Sequence, residues 1–454
     1  MKYCSFSLFI FSALVFLSFV RSTRAASCHP DDEAGLLAFK SGITQDPTSI
    51  FSSWKKGTNC CSWKGVTCTA GDRVTLLEVY GRSDAGEAFL DGSISPSLAK
   101  LKHLNEVHMT DLGNISGSFP PFLLQLPKLK YIYIQNNRLS GPLPTNIGVL
   151  SQLEHLDLEG NRFTGSIPSS ISNLTRLSRL NLGGNRFYGT IPDIFKPMTD
   201  LQYLNLSRNR FFGKLPPSVA SLAPTLWALV VGQNKLSGTI PDYLSSFEHL
   251  SLLDLSRNRF SGVVPKSFAN LTRLYDLNLS HNLLTGPFPT LDVRGMESLD
   301  LSYNKFHMKT IPKWVTLLPI IYSLKLAKCG IIMSLDDWNP VAPLSYDSID
   351  LSENEISGSP EWLLNQTTFM LEFRASGNKL GFDLGKLTFS KRMITLDLSR
   401  NLIFGKVPAM VAGLQKLNLS QNHLCGKLPS THFQANAFAG NNCLCGAPLS
   451  PCKS

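Results

Sequence analysis

The sequence lacks the short motifs by which many enzymes are recognised. Its 454 residues contain no GxSxG, no HExxH, no GxxxxGK[ST] and no GxGxxG. After residue 26 it also lacks any run approaching the roughly 20 consecutive apolar residues that a membrane helix needs, and its last residues, APLSPCKS, lack the hydrophobic tail of a lipid-anchor signal. We therefore expect no catalysis, no cofactor, no bound metal and no membrane anchor.

Acidic residues are in deficit. The chain has 33 Asp and Glu against 43 Lys and Arg, a formal net charge of +10, or about +7 once Lys2, Arg21 and Arg24 are removed with a leader. The basic residues are scattered in phrases such as SRNRF, without the stripe of interleaved basic and aromatic residues typical of nucleic-acid binding. The charge predicts weak attraction to a polyanion and does not favour nucleic acid.

The first 26 residues have the composition of a secretory signal. Lys2 precedes the apolar run FSLFIFSALVFLSFV, and the small residues Ala25 and Ala26 follow it. This order of charge, apolar run and small residues is typical of a signal peptide that is removed on export. The sequence therefore predicts a secreted, extracellular protein.

The ten cysteines are clustered at the two ends of the chain. Cys4 lies in the leader and Cys329 stands alone, whereas the other eight form two groups of four: Cys28, Cys60, Cys61 and Cys68, then Cys425, Cys443, Cys445 and Cys452. Even numbers in an exported chain predict disulfides. Four cysteines allow three pairings, and zinc binding is the rival interpretation of such clusters. We predict Cys28 with Cys60, Cys61 with Cys68, Cys425 with Cys443, and Cys445 with Cys452, since adjacent Cys60 and Cys61 do not easily bond each other.

An asparagine recurs at nearly fixed spacing through most of the chain. The recurring positions are Asn137, Asn161, Asn185, Asn209, Asn234, Asn258, Asn282, Asn304, Asn354, Asn378, Asn401 and Asn422. Around each stands a phrase such as LEHLDLEGNRFTGSIP, which reads LxxLxLxxNxLxGxIP. A unit of this length cannot bury its apolar side alone and must stack on its neighbours. We predict an α/β solenoid of leucine-rich repeats: a right-handed superhelix with a concave parallel β-sheet, short 3₁₀ segments on its convex side and disulfide-capped ends.

Each residue type in the repeat has a structural role. The alternating leucines have the period of a strand with one buried face. The Asn amide can donate to and accept from the backbone of adjacent turns, so an asparagine ladder can be buried without cost. At one step Cys329 stands where Asn is expected, and we interpret it as a small buried residue filling the ladder. We divide the chain into a leader, 1–26, an N-terminal cap, 27–100, about thirteen to fourteen repeats, 101–424, and a C-terminal cap, 425–454.

Outward residues between the leucines form a continuous surface, roughly 60 Å long if each turn adds about 4.8 Å. In the early repeats this surface combines aromatic and charged residues, a composition typical of protein interfaces: Tyr131, Tyr133, His155, Asp157, Glu159, Arg179 and Tyr203. The alternative is a merely solvated strand face. Asp157 and Glu159 also have the spacing of a glycosidase carboxylate pair, but neighbouring carboxylates are expected by chance in so many repeats.

Seven Asn-x-Ser/Thr sequons mark candidate glycosylation sites: Asn114, Asn173, Asn205, Asn270, Asn278, Asn365 and Asn418. Asn173 and Asn270 precede the strand, so their glycans would coat the convex side or flank. Asn205, Asn278 and Asn418 fall at outward strand positions, where a glycan would block the groove. We expect an occupied Asn205 to bound the early surface.

Three segments carry a resemblance to a known family. The segments CHPDDEAGLLAFKSGI and WKKGTNCCSWKGVTC resemble the amino-terminal cap of plant leucine-rich-repeat proteins, and LxGxIP resembles their plant-specific extracellular repeat. With the ending NNCLCGAPLSPC, essentially the whole mature chain is similar to polygalacturonase-inhibiting proteins and to the DNA-damage-toleration-like repeat proteins. It departs from those inhibitors in having more repeats and in an uneven stretch from Met296 to Lys391.

The resemblance implies a glycosylated, monomeric protein of the plant cell wall that binds a protein ligand on its concave face. Recognition or inhibition of a pathogen or wall-modifying enzyme is the preferred expectation. The alternative is a ligand-sensing module that assists membrane receptors in development or defence, and a structural wall protein comes third. Wall pectin is the polyanion that a basic protein would meet in this compartment.

Overall fold

The computed structural model describes residues 28–47, 49–69, 72–81, 89–340 and 344–452. The predicted signal peptide, with Cys4, lies outside the described residues. Within them, no helix is both long and apolar enough to cross a membrane.

One long sheet follows the whole array, and we call it the concave sheet. The alternating leucines form its buried face, and each turn adds one short strand paired with the next. All neighbouring pairs are parallel except the first two strands, which are antiparallel. The sixteen described strands are Val66–Thr69, Arg73–Tyr80, Glu106–Thr110, Tyr131–Tyr133, His155–Asp157, Arg179–Asn181, Tyr203–Asn205, Ala228–Val230, Leu252–Asp254, Asp276–Asn278, Ser298–Asp300, Ser323–Lys325, Ser348–Asp350, Glu372–Arg374, Thr395–Asp397 and Lys416–Asn418. The predicted fold is confirmed.

A second set of strands, which the sequence did not predict, follows the asparagines. They form three sheets, and we call their outer surface the flank face. Ile43–Gln45 pairs antiparallel with its neighbour, whereas the pairings between successive repeats are parallel. The strands are Ile43–Gln45, Leu90–Ser93, Gly113–Gly117, Arg138–Pro142 and Arg162–Thr164 in one sheet, Tyr188–Thr190, Arg210–Gly213, Lys235–Thr239, Arg259–Val263, Leu283–Gly286 and Lys305–Phe306 in the next, and Phe404–Gly405, His423–Lys427 and Cys443–Cys445 in the last.

The return segments of the repeats are short, as predicted, because the prolines before them fix an extended backbone that favours only a brief turn. The described α-helices are Pro30–Ser41, Lys313–Thr316 and Glu361–Gln366. The described 3₁₀ turns are Cys60–Ser62, Pro96–Lys100, Pro121–Gln125, Ile147–Val149, Ser169–Asn173, Pro217–Leu222, Asp242–Ser246, Lys266–Asn270, Leu335–Asp337, Leu384–Lys386, Ala409–Gly413 and Ala435–Phe438.

The asparagine ladder is buried and hydrogen-bonded between turns. At Asn258, Nδ2 donates to the carbonyl of Val231 at 3.0 Å, and Oδ1 accepts from the N–H of Leu236 at 2.9 Å. Cys329 fills the missing step, with its Sγ 3.4 Å from the carbonyl of Leu301. One further step, Asn441, accepts from the N–H of Leu424 at 3.0 Å. The ladder therefore continues into the C-terminal cap, beyond the point that the sequence indicated.

Both ends of the solenoid are closed by disulfides. The four predicted pairs are confirmed: Cys28 with Cys60, Cys61 with Cys68, Cys425 with Cys443, and Cys445 with Cys452. Because these thiols are consumed by disulfides, the zinc interpretation of the two clusters is wrong. Cys329 is the one unpaired cysteine among the described residues.

Candidate protein-interaction face

The strand register brings the predicted residues of the early repeats onto one surface. Tyr131 lies opposite His155, which lies opposite Arg179. Arg179 lies opposite Tyr203 on the following strand. Since residues paired across neighbouring strands project from the same face of a sheet, these four side chains form one row across four turns. A second row contains His108, which lies opposite Tyr133, and Tyr133 lies opposite Asp157.

Aromatic and histidine rings touch from turn to turn along the start of this surface. The ring of His108 stacks on Tyr133 at 4.5 Å and meets the edge of Tyr80 at 5.9 Å. The hydroxyl of Tyr133 and Nδ1 of His155 form a hydrogen bond, and His155 also lies 5.0 Å from the ring of Tyr131. The contacts hold the rings in place before any ligand arrives.

Arg179 connects this group to two further aromatic residues. Its guanidinium carbon lies 3.9 Å from the centre of the Tyr203 ring, within the range of a cation–π contact. Tyr203 in turn lies 5.5 Å from Trp227, which is 37% exposed. We call the whole group the aromatic patch, and its members are Tyr80, His108, Tyr131, Tyr133, His155, Arg179, Tyr203 and Trp227.

Sequence reasoning missed three members of the aromatic patch. Tyr80 and His108 lie in the strands Arg73–Tyr80 and Glu106–Thr110, whose segments depart from the repeat phrase. The alternation of apolar and polar residues in VTLLEVY and NEVHMT was the signal that could have found them. Trp227 precedes its strand by one residue, so the inward and outward alternation of a strand did not reach it.

The predicted contact Asp157 does not face solvent. Its side chain is completely buried, and Oδ2 accepts from Nε of Arg179 at 3.2 Å. Nδ2 of Asn181 donates to Asp157 at 3.0 Å and to Glu159 at 2.9 Å. Both carboxylates are therefore engaged within the sheet, which disfavours their use as a glycosidase pair. The buried Asp157 therefore fixes the orientation of the Arg179 side chain.

Hydrogen bonds and burial disfavour the charged forms of several rings of the aromatic patch. Burial lowers the pKa of His155, and the positive charge of Arg179 lowers it further. The hydrogen bond to Glu154 raises the pKa of Tyr131 to about 12. Burial raises the pKa of Tyr80 to about 12. These shifts favour the uncharged forms of His155, Tyr131 and Tyr80 at neutral pH.

The sequons differ in their exposure. Asn173 and Asn270 end convex 3₁₀ turns and are exposed, and Asn365 is exposed on its short helix. Asn205 is only 5% exposed, and its Oδ1 accepts from the N–H and hydroxyl of Ser207. The two remaining strand sequons and that of the flank strand are partly exposed: Asn278, Asn418 and Asn114. The burial of Asn205 disfavours a glycan there, so we do not expect Asn205 to bound the aromatic patch, which differs from the expectation drawn from the sequence.

The flank face carries a regular row of cations from six successive repeats, five of them on flank strands and Arg186 two residues before the strand Tyr188–Thr190. Each follows a ladder asparagine by one position, projects into solvent and forms no ion pair within the described chain. Hydroxyl and aromatic residues lie opposite them, as Ser140 does for Arg162 and Tyr188 for Arg210. We call this group the cation row: Arg138, Arg162, Arg186, Arg210, Lys235 and Arg259.

Leucine-rich-repeat family models match four parts of the chain. The leucine-rich-repeat N-terminal domain matches residues 29–69, and a leucine-rich-repeat region matches residues 90–211. Two further leucine-rich-repeat models match residues 224–284 and 413–434. Together they cover the amino-terminal cap, the early and middle repeats and the last repeat.

Curated relatives are similar over part of the array. DNA damage-repair/toleration protein DRT100 of Arabidopsis thaliana is 32% identical over 136 residues, which is 28% of this chain and 36% of the relative. Polygalacturonase inhibitor 2 of the same plant is 40% identical over 113 residues, 23% of this chain and 34% of the relative. Each match therefore spans about a third of the relative's length.

Solved structures are similar over a larger share of the chain. The ectodomain of the Arabidopsis thaliana receptor kinase GASSHO1/SCHENGEN3, solved in complex with CASPARIAN STRIP INTEGRITY FACTOR 2, is 28% identical with a TM-score of 0.60. The match covers 80% of this chain and 51% of that one. The TDR receptor is 27% identical with a TM-score of 0.59, covering 81% and 68%. The ladder, the capped ends and these matches establish that the chain is a plant-type leucine-rich-repeat protein, similar to polygalacturonase inhibitors and to DRT100.

Proposed function

We propose that this chain is an extracellular recognition protein that binds a protein ligand through the aromatic patch and catalyses no reaction of its own. The observation that carries the proposal is the organisation of the patch, in which rings from successive turns contact each other and surround Arg179. Tyr, Trp and Arg are the residues most enriched among interface anchors. Neighbouring side chains already hold these residues in place. The protein would therefore lose little side-chain entropy when a ligand binds to them.

The preferred ligand is a secreted enzyme that degrades the plant cell wall. The similarity to polygalacturonase inhibitors supports this class of ligand. The test is capture by the secreted protein from wall extract and fungal filtrate, followed by an activity assay of any captured polygalacturonase. Inhibition of that enzyme supports the proposal, whereas capture of receptor ectodomains alone contradicts this choice of ligand.

Substitutions locate the binding surface. Truncating an interface anchor commonly costs about 2 kcal/mol or more, which is about a 30-fold loss of affinity. We expect such losses for Tyr133→Ala and Trp227→Ala. Trp362→Ala is the matched control, since Trp362 is 46% exposed on the helix Glu361–Gln366. If both patch variants bind normally and changes at Lys325 or Arg374 abolish binding, the ligand contacts the later repeats and the placement is wrong.

The second candidate is a partner of membrane receptors that senses a ligand in development or defence. The similarity to receptor ectodomains supports it, since the GASSHO1/SCHENGEN3 match covers 80% of this chain and the TDR receptor match covers 81%. Recovery of a receptor ectodomain in the capture experiment, with binding weakened by Trp227→Ala, would favour this candidate over enzyme inhibition.

The cation row suits weak retention on wall pectin. Unpaired cations on adjacent strands, about 4.8 Å apart in the direction of strand pairing, offer repeated contacts to a linear polyanion. We expect binding to polygalacturonic acid that weakens with salt. The double variant Arg162→Gln with Arg186→Gln should bind less. The double variant Arg176→Gln with Arg273→Gln removes the same charge from outside the cation row and should bind normally. If both double variants lose binding equally, the attraction depends on net charge and not on the cation row.

A further inference from the structure

The concave sheet continues past the aromatic patch into a surface of different chemistry. On the strands Ala228–Val230 and Leu252–Asp254 the residues Ala228, Val230 and Leu252 are small or aliphatic, and Val230 and Leu252 are half-buried beside the patch. Asp254, at the end of the second of these strands, and the next two strands present carboxylates. We call this surface the central face, and its members are Ala228, Val230, Leu252, Asp254, Asp276 and Asp300.

The three carboxylates lie on three adjacent strands. Asp276 lies opposite Leu252 on one side and Ser298 on the other, while Asp254 and Asp300 occupy the parallel row on the flanking strands. Lys325 lies opposite Asp300 on the next strand, but in the part of the chain that the structure describes none of the three carboxylates forms an ion pair. Burial raises the pKa of Asp276, and the charges of Asp254 and Asp300 raise it further, whereas the hydrogen bond with Ser298 and the charge of Lys325 lower it.

These carboxylates are fixed by the sheet. Oδ1 of Asp254 accepts from the N–H of Ser256 at 2.8 Å, and Oδ1 of Asp300 accepts from the N–H of Ser302 at 3.0 Å. A Cβ at Gly232 would lie 2.6 Å from Oδ2 of Asp254, so glycine leaves the space that this carboxylate occupies. The carboxylates of Asp254 and Asp300 each keep their second oxygen available to a hydrogen-bond donor from a ligand.

The spacing between the aliphatic and acidic parts sets the geometry of a ligand. The strand of Val230 and the strand of Asp276 are two steps apart, or about 10 Å. An extended peptide crossing the strands covers about 3.3 Å per residue. A side chain seated on Val230 and Leu252 would therefore be followed about three residues later by one that reaches Asp276.

We propose that the central face binds an extended segment of a protein ligand, in which an apolar side chain rests on Val230 and Leu252 and a lysine or arginine about three residues away pairs with Asp254, Asp276 and Asp300. The charge complementarity and the aliphatic floor carry the proposal. It rests on the proposed function, since it specifies part of the ligand that the aromatic patch would bind. A cation there would meet three carboxylates that form no ion pair within the described chain. The several donors of a planar guanidinium would favour arginine over lysine.

The test is selection of random 12-residue peptides displayed on phage against the whole secreted protein. Selected sequences should share an apolar residue and a lysine or arginine about three positions apart. Synthetic versions of them should lose affinity about tenfold with Asp276→Asn, because a charge-assisted contact is removed. Selection against Asp276→Lys should replace the basic position by aspartate or glutamate. Asp292→Lys makes the same charge change at an exposed site outside the concave sheet and should leave the selected sequences unchanged.

Two outcomes overturn the proposal: selection that yields no shared basic position, or selected peptides whose affinity is unaffected by Asp276→Asn. The proposed function fails separately. A captured protein that depends on Tyr133 and Trp227 but not on Asp276 leaves the proposed function intact and removes this inference. A captured protein that depends on none of the three removes both.

Discussion

Arg179 has two roles, one in ligand binding and one in the stability of the sheet. The guanidinium face contacts the Tyr203 ring, where a ligand could reach it, and its Nε donates to the completely buried Asp157. From sequence alone, Arg179 is an outward residue whose loss should affect binding only. The ion pair with the buried carboxylate of Asp157 means that Arg179 also stabilises the sheet. A buried charge without its partner lowers the free energy of unfolding.

We predict that Arg179→Ala lowers the free energy of unfolding by about 2 kcal/mol or more, since it leaves the buried Asp157 with two uncharged donors, the Asn181 amide and the N–H of Glu159. Arg162→Ala is the control, because Arg162 is exposed on the flank face and its change should stay within about 0.5 kcal/mol. Denaturant unfolding followed by circular dichroism measures both. Equal midpoints would show that Asp157 is satisfied without Arg179.

His155 should make stability depend on pH. Its pKa is lowered in the folded protein, by burial first and then by Arg179, so protonation favours the unfolded chain. Its contribution is complete above its unfolded pKa of about 6.5 and is lost as the pH falls below that value. We predict that His155→Gln reduces the drop in melting temperature between pH 7.5 and pH 5. An unchanged drop would assign the pH dependence to other groups.

At the scale of elements, the exposure of a residue depends on whether it lies on a concave strand, a convex turn or a flank strand. The three-residue strands have both buried and half-buried outward positions, and the difference depends on what the neighbouring turn presents. Asn205, Asn278 and Asn418 occupy the same strand position, yet only Asn205 is buried. An exposed asparagine can carry a glycan in the folded protein, whereas a buried one cannot.

We predict glycans on Asn173, Asn270 and Asn365, whose side chains are exposed on convex elements, and an unmodified Asn205. Glycopeptide mapping of the protein expressed in plant cells gives the occupancy of every sequon. Deglycosylation with conversion of the linked Asn to Asp provides an independent check. A fully occupied Asn205 would require the strand Tyr203–Asn205 to turn that side chain outward, which would also move Tyr203.

At the scale of the molecule, the ladder joins all the repeats into one structure. Each ladder asparagine forms hydrogen bonds with the backbone of the preceding turn and of its own turn. Unfolding of one repeat therefore leaves backbone polar groups of its neighbour without partners. Cys329 occupies a buried step of this ladder, and burial raises the pKa of its thiol. The thiol is therefore both covered and protonated in the folded protein.

We predict that Cys329 of the mature protein does not react with a thiol reagent at pH 8 until the solenoid unfolds. Labelling at increasing denaturant concentration should follow the unfolding curve seen by circular dichroism, giving one modified cysteine per chain. Cys329→Ala provides the baseline without a thiol. Labelling well before the unfolding transition would show that the middle of the array opens separately from its ends.

The sequence by itself determined the solenoid, the concave sheet and its buried asparagine ladder. It could do so because each rests on a local pattern repeated many times: alternation every second residue, and Asn and Gly at fixed positions where only a few side chains fit. The sequence also placed the disulfides at the two ends, but it left three pairings possible at each end, and the structure decided among them. The predicted residues of the early surface also share one face, because strand period and repeat length together fix the rows.

The tertiary structure alone decided which outward residues are free. Asp157 and Asn205 have the sequence positions of exposed side chains and are buried by residues of adjacent turns, about 24 positions away in the chain. Trp227 joins the aromatic patch through a contact with the preceding turn that no local pattern records. The alternation of their strands could have placed Tyr80 and His108 on the outward face, but not their contact with each other. The flank face likewise exists only because successive turns align. Exposure and contact depend on stacking, and stacking is a property of neighbouring turns that the pattern of a single repeat does not contain.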